Sequence, residues 1–187
     1  MHVSLYDGAG NNLLAVNQQQ PLRHAIAGCL ELLPACMPIF APNHNGFRRL
    51  GGTTNIATQA SWGYEDRDAC LRIPESDANN LRVEYRLAGA DANPYLAIAA
   101  SLLCGYIGMV EGINPSAPVV GRGYERRNLR LPLTIEDALE RMENSKTVEK
   151  YLGTKFITGY VAVKRAEHEN FKRVISSWER EFLLFAV

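Results

Sequence analysis

Leu81-Arg82-Val83-Glu84-Tyr85-Arg86-Leu87 alternates between apolar and charged residues without a break. A two-residue period is the mark of a strand with one buried face, so Leu81, Val83, Tyr85 and Leu87 share one side and Arg82, Glu84 and Arg86 the other. Same-face neighbours along a strand lie roughly 6–7 Å apart, which sets one carboxylate between two guanidinium groups. A carboxylate can hold a hard cation, and guanidinium forks grip anionic oxygens, so the row suits a site that handles metal and phosphate. It equally suits a sheet face open to water, with its charges paired across strands. The remainder of the chain decides between the two.

The 187 residues suffice for one domain or a large part of one. The formal net charge of +0 gives no bias toward nucleic acid or an anionic membrane. Cys29, Cys36, Cys70 and Cys104 form no CxxC pair, and no histidine stands at zinc-finger spacing. They read as reduced core thiols of a cytoplasmic protein. No basic region followed by an apolar run opens the chain, so no signal peptide is expected. The longest apolar stretch, Tyr95 to Val110, falls short of the ~20 residues of a membrane span and reads as a buried helix.

Taken in order, His2-Val3-Ser4-Leu5-Tyr6 has strand composition, and residues 7–12 form a turn. His2 and Ser4 share one strand face, either as part of a site or as an ordinary polar surface. Pro21 opens a helix in which Leu22, Ile26, Cys29, Leu30 and Leu33 recur at helical spacing, and Pro34 is expected to stop it. His24 on this helix reads as a surface or capping histidine. Residues 36–60 read mostly as loop, with Arg48 and Arg49 just before the flexible run Gly51-Gly52-Thr53-Thr54. The loop lacks the GxxxxGK[ST] pattern, so any nucleotide phosphates must be met by arginines and metal rather than by a P-loop.

Further on, Asp66-Arg67-Asp68 precedes a short strand ending in Leu71-Arg72-Ile73-Pro74. Arg67 and Arg72 can reach one site only if the chain turns near Asp66. Asn93 can cap a helix with Pro94 at its first position, running to about Glu111 with Gly112 as its stop. This helix is expected behind the sheet, leaving Arg82, Glu84 and Arg86 on the free face. Arg122, Arg126, Arg127 and Arg130 lie in a long loop and read as solvated or subunit-contacting. Thr134 and Asp137 fit a helix cap, a second short helix fits Lys146 to Leu152, and the last helix is expected from near Thr158. Phe171, Val174, Ile175, Trp178, Phe182 and Phe185 form a stripe that reads as core or subunit contact, and His168 reads as a surface residue.

With these residues in view, the chain resembles the C-terminal half of the glutamine synthetase catalytic domain. Met1-His2-Val3-Ser4-Leu5 is similar to the second half of the family's His-x-His-x-Ser strand. Asn45-Gly46-Phe47-Arg48-Arg49-Leu50 resembles its Asn-Ser-Tyr-Lys/Arg-Arg motif. Asp66-Arg67 and Leu71-Arg72-Ile73-Pro74 resemble its Asn-Arg-Ser and Ile-Arg-Ile-Pro block. Arg82-Val83-Glu84-Tyr85-Arg86 resembles its Arg-x-Glu-x-Arg strand, and Ala90 to Leu96 the helix start that follows. Five motifs in family order carry more weight than any one.

The resemblance implies an ATP-dependent glutamate–ammonia or glutamate–amine ligase working through a γ-glutamyl phosphate. Arg49 and Arg86 would bind glutamate, and Glu84 would ligate Mg²⁺ or Mn²⁺. Arg67, Arg72 and Arg82 would neutralise the phosphates of ATP and the phosphoryl group in transfer, with Arg67 as the catalytic residue. His2 and Ser4 would line the nucleotide side. The parent would be a ring-shaped homo-oligomer. The resemblance also implies that the whole chain, 1–187, is the C-terminal portion of the catalytic domain, without the N-terminal domain or the upstream metal ligands. Since Glu84 alone cannot hold hydrated cations, the isolated chain is expected to be inactive. The flap position that carries a glutamate in ammonia-using members falls, counting from Arg49, on Asn55. An amide cannot serve as a base, which favours an amine larger than ammonia, and the Ala60-Ser61-Trp62-Gly63 and Ala88-Gly89-Ala90-Asp91 stretches look closer to the γ-glutamylpolyamine synthetase-like branch. The competing reading is a non-catalytic binding or assembly module of the same fold. The expected architecture is α+β: an antiparallel sheet including 1–6, 69–74 and 81–87, backed by helices.

Overall fold

The computed structural model describes residues 1–16, 19–52, 59–119 and 131–186. Asn55 and the arginines between 122 and 130 lie outside these residues. The fold is α+β, with a small sheet and a larger body of helices. The strands are β1 (His2–Val3), β2 (Trp62–Tyr64), β3 (Leu71–Ile73) and β4 (Val83–Tyr85), ordered β1-β4-β3-β2 across the sheet. β4 runs antiparallel to both β1 and β3. β2 is an addition to the expected sheet and pairs with β3 in parallel. Such pairs ordinarily need a crossover of roughly a dozen residues or more. Here residues 65–70 make the connection, turned back by Glu65, whose φ is 52°. A three-residue strand with glycine at its centre leaves no periodic signal in the sequence.

The helices are α1 (Gln20–Phe40), α2 (His44–Gly52), α3 (Pro94–Glu111), α4 (Ile135–Asn144), α5 (Lys146–Leu152), α6 (Thr154–Lys172) and α7 (Ser177–Leu183). Three expectations need correction. First, Pro34 does not stop α1, which continues through Pro34 and Pro38 to Phe40. Proline removes a backbone donor and strains the preceding turn. Here Leu32, Leu33, Cys36, Met37, Ile39 and Phe40 are all buried, and their burial outweighs that local cost. Second, the run expected as loop holds the end of α1 and all of α2. Asn43 opens α2 by accepting from the backbone N–H groups of Asn45 and Gly46. Third, the last helix begins at Thr154 and breaks after Lys172. Ser176 starts α7 with a capping box: its Oγ accepts from Glu179 N, and its own N–H donates to the Glu179 carboxylate at 2.7 Å. The stripe from Phe171 to Phe185 is exposed, up to 91% at Phe185, so it is not core.

Behind the sheet, α1 is packed along α3 and α4, its Cys29 Sγ 3.0 Å from the Tyr85 hydroxyl, and α4, α5 and α6 pack on one another. α3 joins the backing, its Ser101 carbonyl accepting from the Tyr85 hydroxyl at 3.1 Å. Only one face of α3 is buried; Tyr95, Ile98, Leu102, Tyr106 and Val110 are exposed. α1 and α3 are both long and apolar enough to cross a membrane by length and composition, and each is packed here against the other. They meet backbone to backbone at Gly28 and Gly108. A Cβ on Gly28 would stand 2.6 Å from the Gly108 Cα and overlap the Cys104 carbonyl; one on Gly108 would overlap the His24 carbonyl. Backbone atoms cannot step aside as a flexible side chain can, so an added methyl must part the helices.

Gly28→Ala and Gly108→Ala should each lower unfolding free energy by about 1–3 kcal/mol or more, the usual cost of overpacking. Gly159, exposed on α6 with nothing within 4 Å of an added Cβ, is the matched control. Gly159→Ala should be neutral or stabilising by up to about 1 kcal/mol. Urea unfolding of the three variants checks this, and equal effects at all three positions would contradict the close approach.

Candidate active site

β4 alternates as its sequence requires: Leu81, Val83, Tyr85 and Leu87 are buried, and Arg82, Glu84 and Arg86 are half-buried on the opposite face. The register extends this face sideways. His2 pairs with Glu84 across β1 and β4, and Arg72 pairs with Glu84 across β3 and β4. Glu84 therefore lies between a histidine and an arginine across the strands, and between two arginines along its own strand.

Its carboxylate is held at both oxygens. Arg72 Nη1 donates to Oε2 at 2.8 Å, and Arg86 Nη1 donates to Oε1 at 3.0 Å. The other arm of Arg72 reaches Glu65 Oε2 at 2.7 Å. Glu65 in turn accepts from the backbone N–H of Glu75, which fixes the turn that follows β2. Burial alone would raise the Glu84 carboxyl, but the Arg72 hydrogen bond and the charges of Arg86, Arg72 and His2 outweigh it and hold the group below its ordinary value. The same contacts raise the Arg72 guanidinium, chiefly through Glu65 and then Glu84.

The other expected residues are placed as follows. Arg49 lies on α2 rather than in a loop, and its guanidinium donates to the Leu87 carbonyl where β4 ends, next to Arg86 in sequence. Arg67 is exposed on the turn after Glu65, near enough for its charge to act on the Glu65 carboxyl. Arg82 folds back to donate to the Asn80 carbonyl at 2.9 Å. Ser4 lies just past β1 and is half-buried. Thus His2, Glu84, Arg72 and Arg86 converge on one sheet face, Arg49 stands at its exit end, and Arg67 and Arg82 lie at its margin.

Glu65 escaped the sequence reading. Its partner Arg72 is seven residues on, across a parallel pair, and only the register of β2 brings them together. His168 requires a correction as well: it is 8% exposed, held between Glu136 and His44 rather than on the surface.

Arg72 Nε is buried without a hydrogen-bond acceptor. An unsatisfied donor beside an arginine row fits an anionic oxygen, such as that of a phosphate. The fit to a divalent cation is incomplete. Both oxygens of Glu84 already accept from arginine, and among the described residues no group of three His, Cys, Asp or Glu side chains is placed to hold a metal ion. Glu84 can be one donor; the described residues do not form a complete metal site.

The chain is thus an α+β unit whose small sheet carries an Arg–Glu–Arg row on its polar face. Residues 1–183 match the glutamine synthetase catalytic domain, and the chain belongs to that family. It is 39% identical to gamma-glutamylputrescine synthetase PuuA of Escherichia coli K12, over 98% of this chain and 40% of that protein. It is 31% identical to a glutamate–isopropylamine ligase of a Pseudomonas species, over 96% of this chain and 41% of that one. In structure it is similar to apo GmaS without ligand, with a TM-score of 0.87 and 26% identity over 98% of this chain and 44% of that chain. The chain thus spans less than half the length of these relatives.

The lowered Glu84 carboxyl fixes the sign of a pH effect. A carboxylate whose folded value is depressed adds stability above its unfolded value, near 4.5, and loses it as pH falls through the folded value. Glu84→Gln should therefore be less stable than wild type near neutral pH, with a smaller further loss between about pH 5 and about pH 3. Parallel losses in urea midpoints over that range would contradict the charge-held row.

Proposed function

We propose that this chain forms the C-terminal portion of the catalytic domain of an ATP-dependent glutamate–amine ligase. The observation that carries the reading is the Arg72–Glu84–Arg86 row on the free face of the sheet, in a chain of the glutamine synthetase family. In the proposed reaction an oxygen of the glutamate side-chain carboxylate attacks the terminal phosphorus of ATP, and ADP leaves. The amine then attacks the acyl carbon of the γ-glutamyl phosphate. Phosphate departs with the carboxylate oxygen, and the nitrogen loses its proton.

Positioning and charge neutralisation are the main demands of such a transfer. Arg86, at the end of β4, and Arg49, held against the Leu87 carbonyl, would grip glutamate carboxylate oxygens. Arg72, with its buried Nε, would take phosphate oxygen, with Arg82 and the catalytic Arg67 adding positive charge from the margin. His2 and Ser4 would border the nucleotide. Glu84 would contribute one ligand to Mg²⁺ or Mn²⁺, whose role is to draw charge off the phosphates, the remaining ligands coming from outside this chain. On that account the 187-residue chain alone is inactive.

The second substrate in this reading is an organic amine. Relatives named for putrescine, isopropylamine and ethanolamide support it, as does Asn55 in place of an acidic flap residue. The exposed apolar faces of α3 and of the Phe171–Phe185 stripe fit subunit contacts of a ring-shaped homo-oligomer. Four free, buried cysteines fit a cytoplasmic setting.

The test is glutamate-dependent phosphate release from ATP by a full-length ligase that contains this chain, with putrescine, ethanolamine and ammonia as acceptors. Release with an organic amine is expected. No release with any acceptor would sink the reading and leave a binding or assembly module in its place. Within the active enzyme, Arg86→Ala should raise the glutamate KM by about 10- to 100-fold, the worth of a charge-assisted hydrogen bond. An unchanged KM would remove Arg86 from the glutamate site.

A further inference from the structure

Away from the sheet face, titratable side chains from three helices converge. Glu136 stands in the first turn of α4, His168 on α6, and His44 opens α2. His168 is buried. Its Nδ1 lies 2.9 Å from His44 Nε2, and its Nε2 lies 2.7 Å from Glu136 Oε1, at ion-pair distance though without hydrogen-bond alignment. His44 is stacked on Phe171 of α6 with ring centroids 3.7 Å apart, and the Arg48 guanidinium, one turn along α2, sits 5.7 Å from the centre of the Phe171 ring. The reaction proposed above uses none of the three titratable groups. Yet α2 also carries Arg49, which ends against the Leu87 carbonyl.

We propose that Glu136, His168 and His44 form a proton-dependent brace that holds α2, and with it Arg49, against the C-terminal helices, and that the brace opens on acidification. His44 and His168 are positioning residues in this account. The value of positioning Arg49 for glutamate rests on the ligase reading; the brace itself does not.

Only one proton fits between two ring nitrogens 2.9 Å apart. The Glu136 carboxylate accepts but cannot donate, so it favours the His168 tautomer that carries hydrogen on Nε2. With both rings neutral, His44 Nε2–H donates to His168 Nδ1. One added proton still leaves one N–H between the two facing nitrogens, so the bond persists. A second proton sets two N–H groups and two positive charges face to face, and the bond is lost.

Burial, the facing His168 and the nearby Arg48 hold His44 below the ordinary imidazole value, against the opposing pull of Glu136. The other charged groups around His168 are Glu140 and Glu143 from α4 and Arg165, Glu169 and Lys172 from α6. Glu143 pairs with Arg165 and Glu169 with Lys172, while Glu140 adds a negative charge to the same groove. A histidine depressed in the folded state adds stability above its unfolded value and loses it as pH falls. The brace therefore holds near neutral pH and fails in acid.

The test uses this 187-residue chain and needs no substrate. Histidine ¹⁵N NMR between about pH 8 and about pH 4.5 follows each ring nitrogen, and amide hydrogen exchange follows the helices. In wild type, His44 should titrate below the ordinary imidazole range. As it does, the Phe47–Leu50 amides of α2 and the Arg49 Nε–H should exchange about tenfold faster, while α6 amides keep their protection. In His168→Gln, the His44 titration should move up toward the ordinary value, with the same faster α2 exchange already present at neutral pH. Two results would overturn the proposal: a His44 titration unmoved by His168→Gln, or α2 exchange without an acid-linked step in wild type. Since no readout uses glutamate or ATP, a lack of ligase activity would count against the proposed function alone.

Discussion

Leu81, Val83, Tyr85 and Leu87 are buried beneath the sheet, and a strand has only two faces. Burying those four side chains obliges Arg82, Glu84 and Arg86 to point the other way. A slip of one residue would bury three charges and expose four apolar groups, so the register is fixed by burial. Everything proposed for the site depends on that register. It sets His2 and Arg72 on either side of Glu84, and it delivers Leu87, the anchor of Arg49, at the exit of the strand.

The charged row and the helical core support each other. Arg72 ties two carboxylates, and so ties β3 both to β4 and to the turn after β2. Part of the platform below is α1, which continues through two internal prolines with most of its residues buried. Its glycine contact with α3 lets the Tyr85 hydroxyl reach the Ser101 carbonyl, which ties the centre of the row's strand to the second helix. A rigid platform of this kind suits a reaction governed by the placement of charge.

The features readable in the sequence were those with a local cause. The alternation of residues 81–87, the Asn93–Pro94 start and Gly112 stop of α3, and the Thr134 cap each follow from neighbours a few residues apart. The family motifs placed His2, Arg72, Glu84 and Arg86 in one chain, and the register shows them on one face. What escaped reading has a non-local cause. α1 passes Pro34 because of packing contributed by α3 and α4. Glu65 meets Arg72 only through a parallel pair. His168 is surrounded in sequence by charged residues and looks exposed until α2 and α4 close over it. The flap position, Asn55, lies outside the described residues.

Among all measurements, the fate of the glutamate side-chain oxygens bears most directly on the ligase account. Glutamate labelled with ¹⁸O in the side-chain carboxylate would be turned over with ATP and an organic amine by a full-length ligase containing this chain, and the released phosphate weighed by mass spectrometry. Transfer through a γ-glutamyl phosphate places one labelled oxygen in each phosphate. Phosphate released without label would mean that water, not glutamate, receives the phosphoryl group, and would contradict the role assigned to the arginine–glutamate face.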